Sequence, residues 1–234
     1  MVVFVGIFLL VGIGYRIFQL SKSRTFQFFG GLTARVDTDT PVVALTFDDA
    51  PSQYTDTVLR ILKAKNVSAT FYCIGKNIEE YPEQARAIVE SGHELGNHSY
   101  SHTRLIFKSL PFIAGEIDKT NERIRQAGYT DTITFRPPNG KKLLLLPWYL
   151  YTHHIQTVMW DVEPDTYVGG KPAEIVSYVE QHARPGSIIL MHPFCGQECE
   201  ADREALPGVI DRLTAKGYRF VPVSQLLSFV GKNP

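Results

Sequence analysis

The stretch VVALTFDDAP, residues 42–51, decides how the rest of the chain is interpreted. Its first six residues form an apolar run interrupted only by a threonine, which predicts a short strand buried on both faces. Asp48 and Asp49 follow that strand, and an aspartate before Ala-Pro is equally typical of a helix start. Because neighbouring residues at a strand end point in different directions, the two carboxylates are suited to two separate tasks.

Strand-like and helix-like segments alternate after this stretch. Apolar runs predict further strands at 68–74, 93–98, 132–135, 155–160 and 187–192. Periodic patterns predict helices at 54–66, 77–92, 109–128, 143–154, 171–183 and 201–217. This alternation favours an α/β fold in which helices cover a parallel sheet. Six or seven such units in about 190 residues predict one domain, shaped as a distorted or incomplete (β/α) barrel.

The ten residues HELGNHSYSH, 93–102, contain three histidines. His98 and His102 are four residues apart, a spacing that places both imidazoles on one face if a helical turn begins there. Alone, such a pair is often only a polar surface feature. With an aspartate as third ligand it forms a metal site that leaves positions open for water and substrate, as in catalytic zinc centres. Apart from His192, the other histidines are predicted to be structural or on the surface: His93, His153, His154 and His182.

Polar groups follow five separate segments of the predicted barrel, namely Asp48-Asp49, His98, Arg136, Asp161 and His192. The carboxyl ends of barrel strands form one rim, and enzymes of this architecture place their active sites there. We therefore expect acid, base and ligand residues to meet at that rim.

Five motifs occur in order along the chain: TFDDAP (46–51), HELGNHSYSH (93–102), RPPNG (136–140), WDVEPDTY (160–167) and IILMH (188–192). Together they resemble the successive motifs of the polysaccharide deacetylases, carbohydrate esterase family 4, also called the nodulation-protein-B homology domain. The resemblance covers roughly residues 40 to 230. It implies a distorted (β/α) barrel and metal-dependent removal of N-acetyl, occasionally O-acetyl, groups from glycans.

The resemblance also implies a metal centre. Asp49, His98 and His102 match the metal ligands by position. Two imidazoles and one carboxylate suit zinc best, and the same ligands accept cobalt or nickel.

The catalytic roles follow from the resemblance in the same way. Asp48 matches the general base, His192 the general acid that protonates the departing amine, and Arg136 the arginine that keeps the base ionised. Leu190 matches the residue that lines the pocket for the acetyl methyl group. An amide is a poor electrophile with a poor leaving group, so its hydrolysis needs an activated nucleophile, charge stabilisation and a proton for nitrogen.

The chain departs from the family pattern around the predicted substrate site. Ala50 replaces a glycine, and Asn139 replaces a tyrosine, a change that keeps the backbone N–H for the oxyanion and loses the side-chain wall. Thr166-Tyr167 replaces Asp-Trp, which removes the aspartate that sets the pKa of the acid histidine. The candidates to replace it are Asp161, Glu163 and Asp165, and we single out Asp165. The predicted substrate-binding residues are Asn139, Trp160, Tyr167 and Leu190, with the two aromatic residues as platforms for sugar rings.

The first twenty residues, MVVFVGIFLLVGIGYRIFQL, are far more apolar than the rest of the chain. Because no small-residue cleavage site follows, we predict an apolar helix that anchors the chain in a membrane within residues 1–24, a connecting segment at 25–40 and a catalytic domain at 41–234. A signal peptide and a buried helix are the alternatives. The basic residues all follow the apolar run, which favours a cytoplasmic domain, whereas a glycan substrate favours the extracytoplasmic face or the cell wall. The topology stays open.

Composition gives no support for a nucleic-acid role. The 234 residues are 44% apolar and carry 24 basic and 24 acidic side chains, so no basic stripe indicates DNA or RNA binding. We expect a monomer. Cys73 is predicted to be a core residue, and Cys195 and Cys199 are predicted either to form a loop disulfide or to remain free thiols.

The predicted function is metal-dependent hydrolysis of N-acetyl groups from N-acetylglucosamine-containing glycans such as peptidoglycan or chitin-like oligosaccharides. The alternatives are an O-acetyl esterase, a deacetylase of small N-acetyl sugars and a glycan-binding module without catalysis. The last of these predicts the loss of a metal ligand, of Asp48 or of His192, and none is lost.

Overall fold

The computed structural model describes residues 12, 14–168 and 170–229. Within this part the strands are β1 (Leu32–Thr33), β2 (Val42–Ala50), β3 (Thr70–Cys73), β4 (Glu94–Asn97), β5 (Thr157–Val158), β6 (Ile188–Met191) and β7 (Arg219–Phe220). The α-helices that follow β1 are α1 (Thr55–Lys65), α2 (Gly75–Glu80), α3 (Pro82–Glu90), α4 (Leu110–Gln126), α5 (Leu145–Thr152), α6 (Pro172–His182), α7 (Glu200–Ala215) and α8 (Val223–Leu227).

The named strands pair in parallel. The main sheet has the order β4-β3-β2-β6, β7 pairs with the beginning of β2, and β1 pairs with β5. Single bridges at Phe135 link β4 to β5, and a bridge between Val162 and Ile189 leads on to β6. The predicted α/β architecture with a parallel sheet in one domain is confirmed, and the isolated bridges make the closure irregular.

Strand β2 is the centre of this arrangement because both of its faces are buried. Val43, Leu45 and Phe47 pack on one side into the core beneath the outer helices. Val42 and Ala44 pack on the other side into the barrel interior. Each large apolar side chain buried in this way stabilises the fold by about 1.5–3 kcal/mol. This explains why a continuous apolar run, rather than an alternating one, forms the strand.

The helix predicted at 77–92 is in fact two helices, α2 and α3, separated at Tyr81. Pro82 has no backbone N–H to donate, and its ring disfavours helical backbone at the preceding residue. Tyr81 accordingly adopts φ −126° and ψ 59°. The strand predicted at 132–135 is also wrong, since only the bridges at Phe135 form there.

The cysteines behave as two separate groups. Cys195 and Cys199 form a disulfide, which selects one of the two sequence alternatives. Cys73 is a buried free thiol in β3, as predicted.

Half of the predicted membrane anchor, residues 1–11 and 13 of 1–24, lies outside the described residues. Residues 14–21 are helical, and the backbone N–H of Lys142 donates to the carbonyl of Ser21 at 2.8 Å. No helix in the described part of the chain is long and apolar enough to cross a bilayer. The anchor and the domain limits at residues 24 and 40 therefore stay predictions.

Gly186, just before β6, offers a test of the close packing between this turn and Val36, in the segment before β2. Its φ of +80° is in the left-handed region, and a Cβ there would lie 1.8 Å from the carbonyl oxygen of Val36. Gly217 has a similar φ of +86° but open space around it. We expect Gly186→Ala to lower the free energy of unfolding by at least about 1–3 kcal/mol more than Gly217→Ala, because only the first adds a clash to the backbone strain. Denaturant unfolding of both variants measures the difference, and equal losses would contradict it.

Candidate metal and catalytic site

A β-bulge delivers Asp48 and Asp49 in different directions. The register between β2 and β3 shifts between Phe47 and Ala50, so the two aspartates occupy an irregular stretch of the strand. Asp49 has a left-handed φ of 66°, and its carbonyl oxygen accepts a hydrogen bond from Asn77. The Asp48 side chain is 3% exposed and that of Asp49 is 35% exposed. The two carboxylates thus point in different directions, as expected: Asp48 is buried, and Asp49 is partly exposed.

His98 and His102 lie in a loop after β4, not on the helical turn that their spacing had suggested. Ser99 and His102 both have left-handed backbone conformations, with φ of 66° and 56°. The loop is held by its own polar groups, since Ser99 Oγ accepts the backbone N–H of His102 at 3.1 Å. The two imidazole rings nevertheless face each other, with centroids 5.0 Å apart.

Three potential ligand atoms converge between these elements. Asp49 Oδ1 lies 3.7 Å from His98 Nε2 and 3.4 Å from His102 Nε2. It is buried and has no hydrogen-bond partner in the described part of the chain. His98 Nδ1 contacts the carbonyl oxygen of Arg136 at 2.8 Å, which requires the proton on Nδ1 and leaves the Nε2 lone pair free toward Asp49. An unpartnered carboxylate oxygen opposite two imidazole nitrogens fits a divalent metal ion.

Arg136 is completely buried beneath this group and neutralises Asp48. Its Nη1 lies 2.7 Å from Asp48 Oδ1 and also donates to Thr46 Oγ1 at 2.9 Å. Its Nη2 donates to the carbonyl oxygen of Met159 at 3.1 Å, and the guanidinium stacks over Tyr72 at 4.0 Å. Burial by itself would raise the pKa of Asp48, but the charge and hydrogen bond of Arg136, together with the charges of His98 and His192, outweigh burial and lower the pKa. Asp48 is therefore held as a carboxylate.

His192 lies across the cleft between two carboxyl groups. Its Nδ1 is hydrogen-bonded to Asp165 Oδ2, and its backbone N–H donates to Asp202 Oδ2 at 2.7 Å. Burial by itself would lower the pKa of His192, but the bond to Asp165 and the charges of nearby aspartates raise it to about 9. Burial and the charge of Asp165 raise the pKa of Asp202 to about 6. The imidazole is thus a cation at neutral pH whose Nε2 is left available to the cleft.

The three candidates for the carboxylate beside His192 are now distinguished. Asp165 makes the contact. Asp161 instead accepts hydrogen bonds from Ser187 and from the backbone of Ile188. Glu163 is paired with Arg24.

The site residues share one cleft of about 360 Å³. Of the predicted substrate residues, Asn139, Trp160 and Leu190 line it. Tyr167 does not line it; its ring is 60% exposed and stacks on Tyr178 with centroids 5.5 Å apart. The predicted platform at Tyr167 therefore lies outside the wall of this cleft, which its neighbour Thr166 lines.

Sequence reasoning missed several residues of the site. Asp202 belongs to none of the five motifs and is thirty-seven positions after Asp165 in the chain. Only the fold therefore shows that it contacts His192. Lys22, Arg24 and Lys141 also line the cleft. The first two lie in the segment that had been assigned to the membrane anchor. The remaining histidines are placed as predicted: His93 is buried, and its Nδ1 accepts the backbone N–H of Ala69, whereas His153, His154 and His182 are exposed.

Comparison with known proteins agrees with this geometry. A family model described as polysaccharide deacetylase matches residues 35–156. The chain is 36% identical to a peptidoglycan-N-acetylglucosamine deacetylase of Bacillus cereus, over 79% of this chain and 67% of that protein. It is 34% identical to the peptidoglycan-N-acetylmuramic acid deacetylase PdaC of Bacillus subtilis, over 82% of this chain but only 40% of PdaC.

A solved structure has the same fold. It is the crystal structure of a peptidoglycan N-acetylglucosamine deacetylase in complex with an N-oxidanyl-benzamide, and it matches with a TM-score of 0.78 and 31% sequence identity. The match covers 86% of this chain and 94% of that one. The family resemblance of the five motifs is thus confirmed by sequence and by structure, and the chain belongs to the polysaccharide deacetylase family of enzymes.

Proposed function

We propose that the protein is a metal-dependent hydrolase that removes N-acetyl groups from N-acetylglucosamine residues of peptidoglycan or a related glycan. The observation that carries this proposal is the convergence in one cleft of a three-ligand group, a buried carboxylate and a protonated histidine. Relatives of the chain are named as peptidoglycan deacetylases.

Asp49, His98 and His102 would hold the metal, for which zinc is the best fit to one carboxylate and two imidazoles. A divalent ion bound there supplies positive charge that acidifies water and polarises the acetyl carbonyl. The protein's part is to present these three side chains together, which the bulge at Asp49 and the loop at His98–His102 do.

Asp48 acts as the general base that takes a proton from the attacking water. Its carboxylate lies 3.5 Å from His98 Nε2 and is held by Arg136 at 2.7 Å. Because Arg136 keeps it ionised and its other contacts fix its direction, Asp48 is ready to accept a proton without reorganisation.

His192 acts as the general acid that protonates the departing amine nitrogen. Asp165 on Nδ1 keeps the imidazole protonated and aims Nε2 at the cleft. The two proton-transfer groups thus line the same cleft, and each has an oppositely charged partner.

The substrate side of the cleft is partly apolar. Leu190 and Trp160 line it, and we assign them to the acetyl methyl group and to a sugar ring. Asn139 has a left-handed φ of 52°, and its backbone N–H is assigned to the oxyanion.

We further propose that the enzyme acts outside the cytoplasm, in the cell wall. Peptidoglycan is the substrate named for its relatives, and the Cys195–Cys199 disulfide suits an oxidising compartment. We also propose that the N-terminal segment attaches the protein to a membrane and that the protein is a monomer.

The decisive assay is acetate release from N-acetylglucosamine oligomers by the full chain. We expect release to stop with a chelator and to return when zinc is added. Asp48→Asn should reduce release by about 10²–10⁴-fold while zinc stays bound, because the base is lost and the ligands are kept. Zinc bound without release in the parent protein would instead favour a glycan-binding module.

His102→Ala tests the ligand assignment. We expect the variant to lose zinc and to lose acetate release by at least about 10²-fold, since a ligand is removed. The matched control is His182→Ala, an exposed histidine on α6 outside the cleft. Metal analysis, acetate release and circular dichroism are measured for both variants. A folded His102→Ala protein with full zinc and full activity would show that the assignment is wrong.

Asp165→Asn tests the role of the carboxylate beside His192. The pKa of His192 is raised above its ordinary value, so activity that needs its proton is present at low pH and is lost as pH rises through about 9. Removing the Asp165 charge should move this alkaline limb of the pH–rate profile to lower pH by about one unit or more. Glu198→Gln, which removes an exposed charge nearby, should leave the limb in place. An unchanged limb in Asp165→Asn would assign it to another group.

A further inference from the structure

Part of the cleft is lined by the segment that precedes the five motifs. The backbone N–H of Lys142 donates to the carbonyl of Ser21, and the Lys142 ammonium donates to the carbonyl of Ser23. Arg24 pairs with Glu163 and lies over Trp160 at 4.8 Å. These contacts hold residues 21–24 against the catalytic residues, and they place Lys22 at the cleft.

Lys22 and Lys141 are two cations of that cleft without a counter-charge. Neither has a carboxylate within 4.0 Å in the part of the chain that the structure describes. Both ammonium groups lie against the same ring, that of Phe18, at 5.0 Å for Lys22 and 4.2 Å for Lys141. Two neighbouring charges of the cleft do have partners, because Arg24 pairs with Glu163 and Asp48 pairs with Arg136.

A third cation lies beside them. Arg104 donates from Nε to Asn139 Oδ1 at 2.8 Å, a neutral partner that leaves its charge uncompensated. Burial and the charges of Lys22 and Arg104 lower the pKa of Lys141. Like charges held close together repel one another, and an anion placed between them would relieve the repulsion.

We propose that Lys22 and Lys141 form a subsite for a carboxylate carried by the glycan, which makes the enzyme prefer acidic over neutral acetylated glycans. The inference rests on the proposed function, because it places the subsite in the same cleft as the reacting acetamido group. Phe18 holds the two ammonium groups at the cleft, and their charge attracts the carboxylate. A neutral polymer of N-acetylglucosamine has no group for this subsite, whereas a glycan that contains lactyl ether carboxylates does.

The test uses two tetrasaccharides of alternating N-acetylglucosamine and N-acetylmuramic acid, one with free lactyl carboxylates and one with carboxamides in their place. Binding is measured by calorimetry with the full chain carrying Asp48→Asn, so that no turnover is needed. We expect the carboxylate form to bind about tenfold more tightly, and we expect raising the salt from about 0.02 M to about 0.5 M to remove most of this preference.

The affinity for the carboxylate form divided by that for the carboxamide form should fall to within about twofold of one when Lys22→Gln and Lys141→Gln are added together. Either change alone should lower this ratio by about threefold. The matched control is Lys63→Gln, an exposed lysine on α1 away from the cleft, which should keep the tenfold ratio. Thermal unfolding checks that each variant is folded.

Equal affinities for the two tetrasaccharides in the parent protein would overturn the subsite, as would a tenfold preference that survives in the double variant. The proposed function fails separately. A charge preference that depends on the two lysines, in a chain that releases no acetate with zinc bound, would support the subsite and refute the deacetylase.

Discussion

The ion pair between Arg136 and Asp48 is the interaction on which the rest of the site depends. Both side chains are out of contact with water, and burying two charges costs several kcal/mol per ion unless each is well paired and hydrogen-bonded. Arg136 meets that condition through Thr46 and Asp48 of β2 and through the carbonyl of Met159, just after β5. Its own carbonyl orients His98. One residue thus couples β2, the loop after β4 and the chain beyond β5.

Backbone irregularity supplies the remaining geometry. Regular parallel strands would send Asp48 and Asp49 to opposite faces of the sheet, one of them into the core beneath the helices. The bulge and the left-handed backbone at Asp49 bring its carboxylate to the cleft instead. Ser99, His102 and Asn139 have left-handed backbone conformations in the same cleft. Such conformations cost about 1–3 kcal/mol each and persist where the surrounding contacts hold them.

Two opposite charge environments lie in this one cleft. Arg136 keeps one carboxylate ionised beside the imidazoles, and Asp165 keeps His192 protonated. The separation matters because hydrolysis of an amide requires a proton to leave the water and another to reach the nitrogen. The cations of Lys22 and Lys141 form a third environment farther along the wall, one suited to choosing a substrate rather than to transforming it.

The sequence by itself determined the parallel α/β fold, because an apolar run such as residues 42–47 can only be buried on both faces. It also determined the family, because five ordered motifs specify it. The convergence of Asp49, His98 and His102 was predictable from those motifs. Only the tertiary structure decided that Asp165, rather than Asp161 or Glu163, contacts His192, and that Asp202 joins it. It also decided that Lys22 faces the cleft and Tyr167 does not. These outcomes depend on bulges, loops and contacts between residues distant in the chain, and periodicity and local propensity contain no information about them.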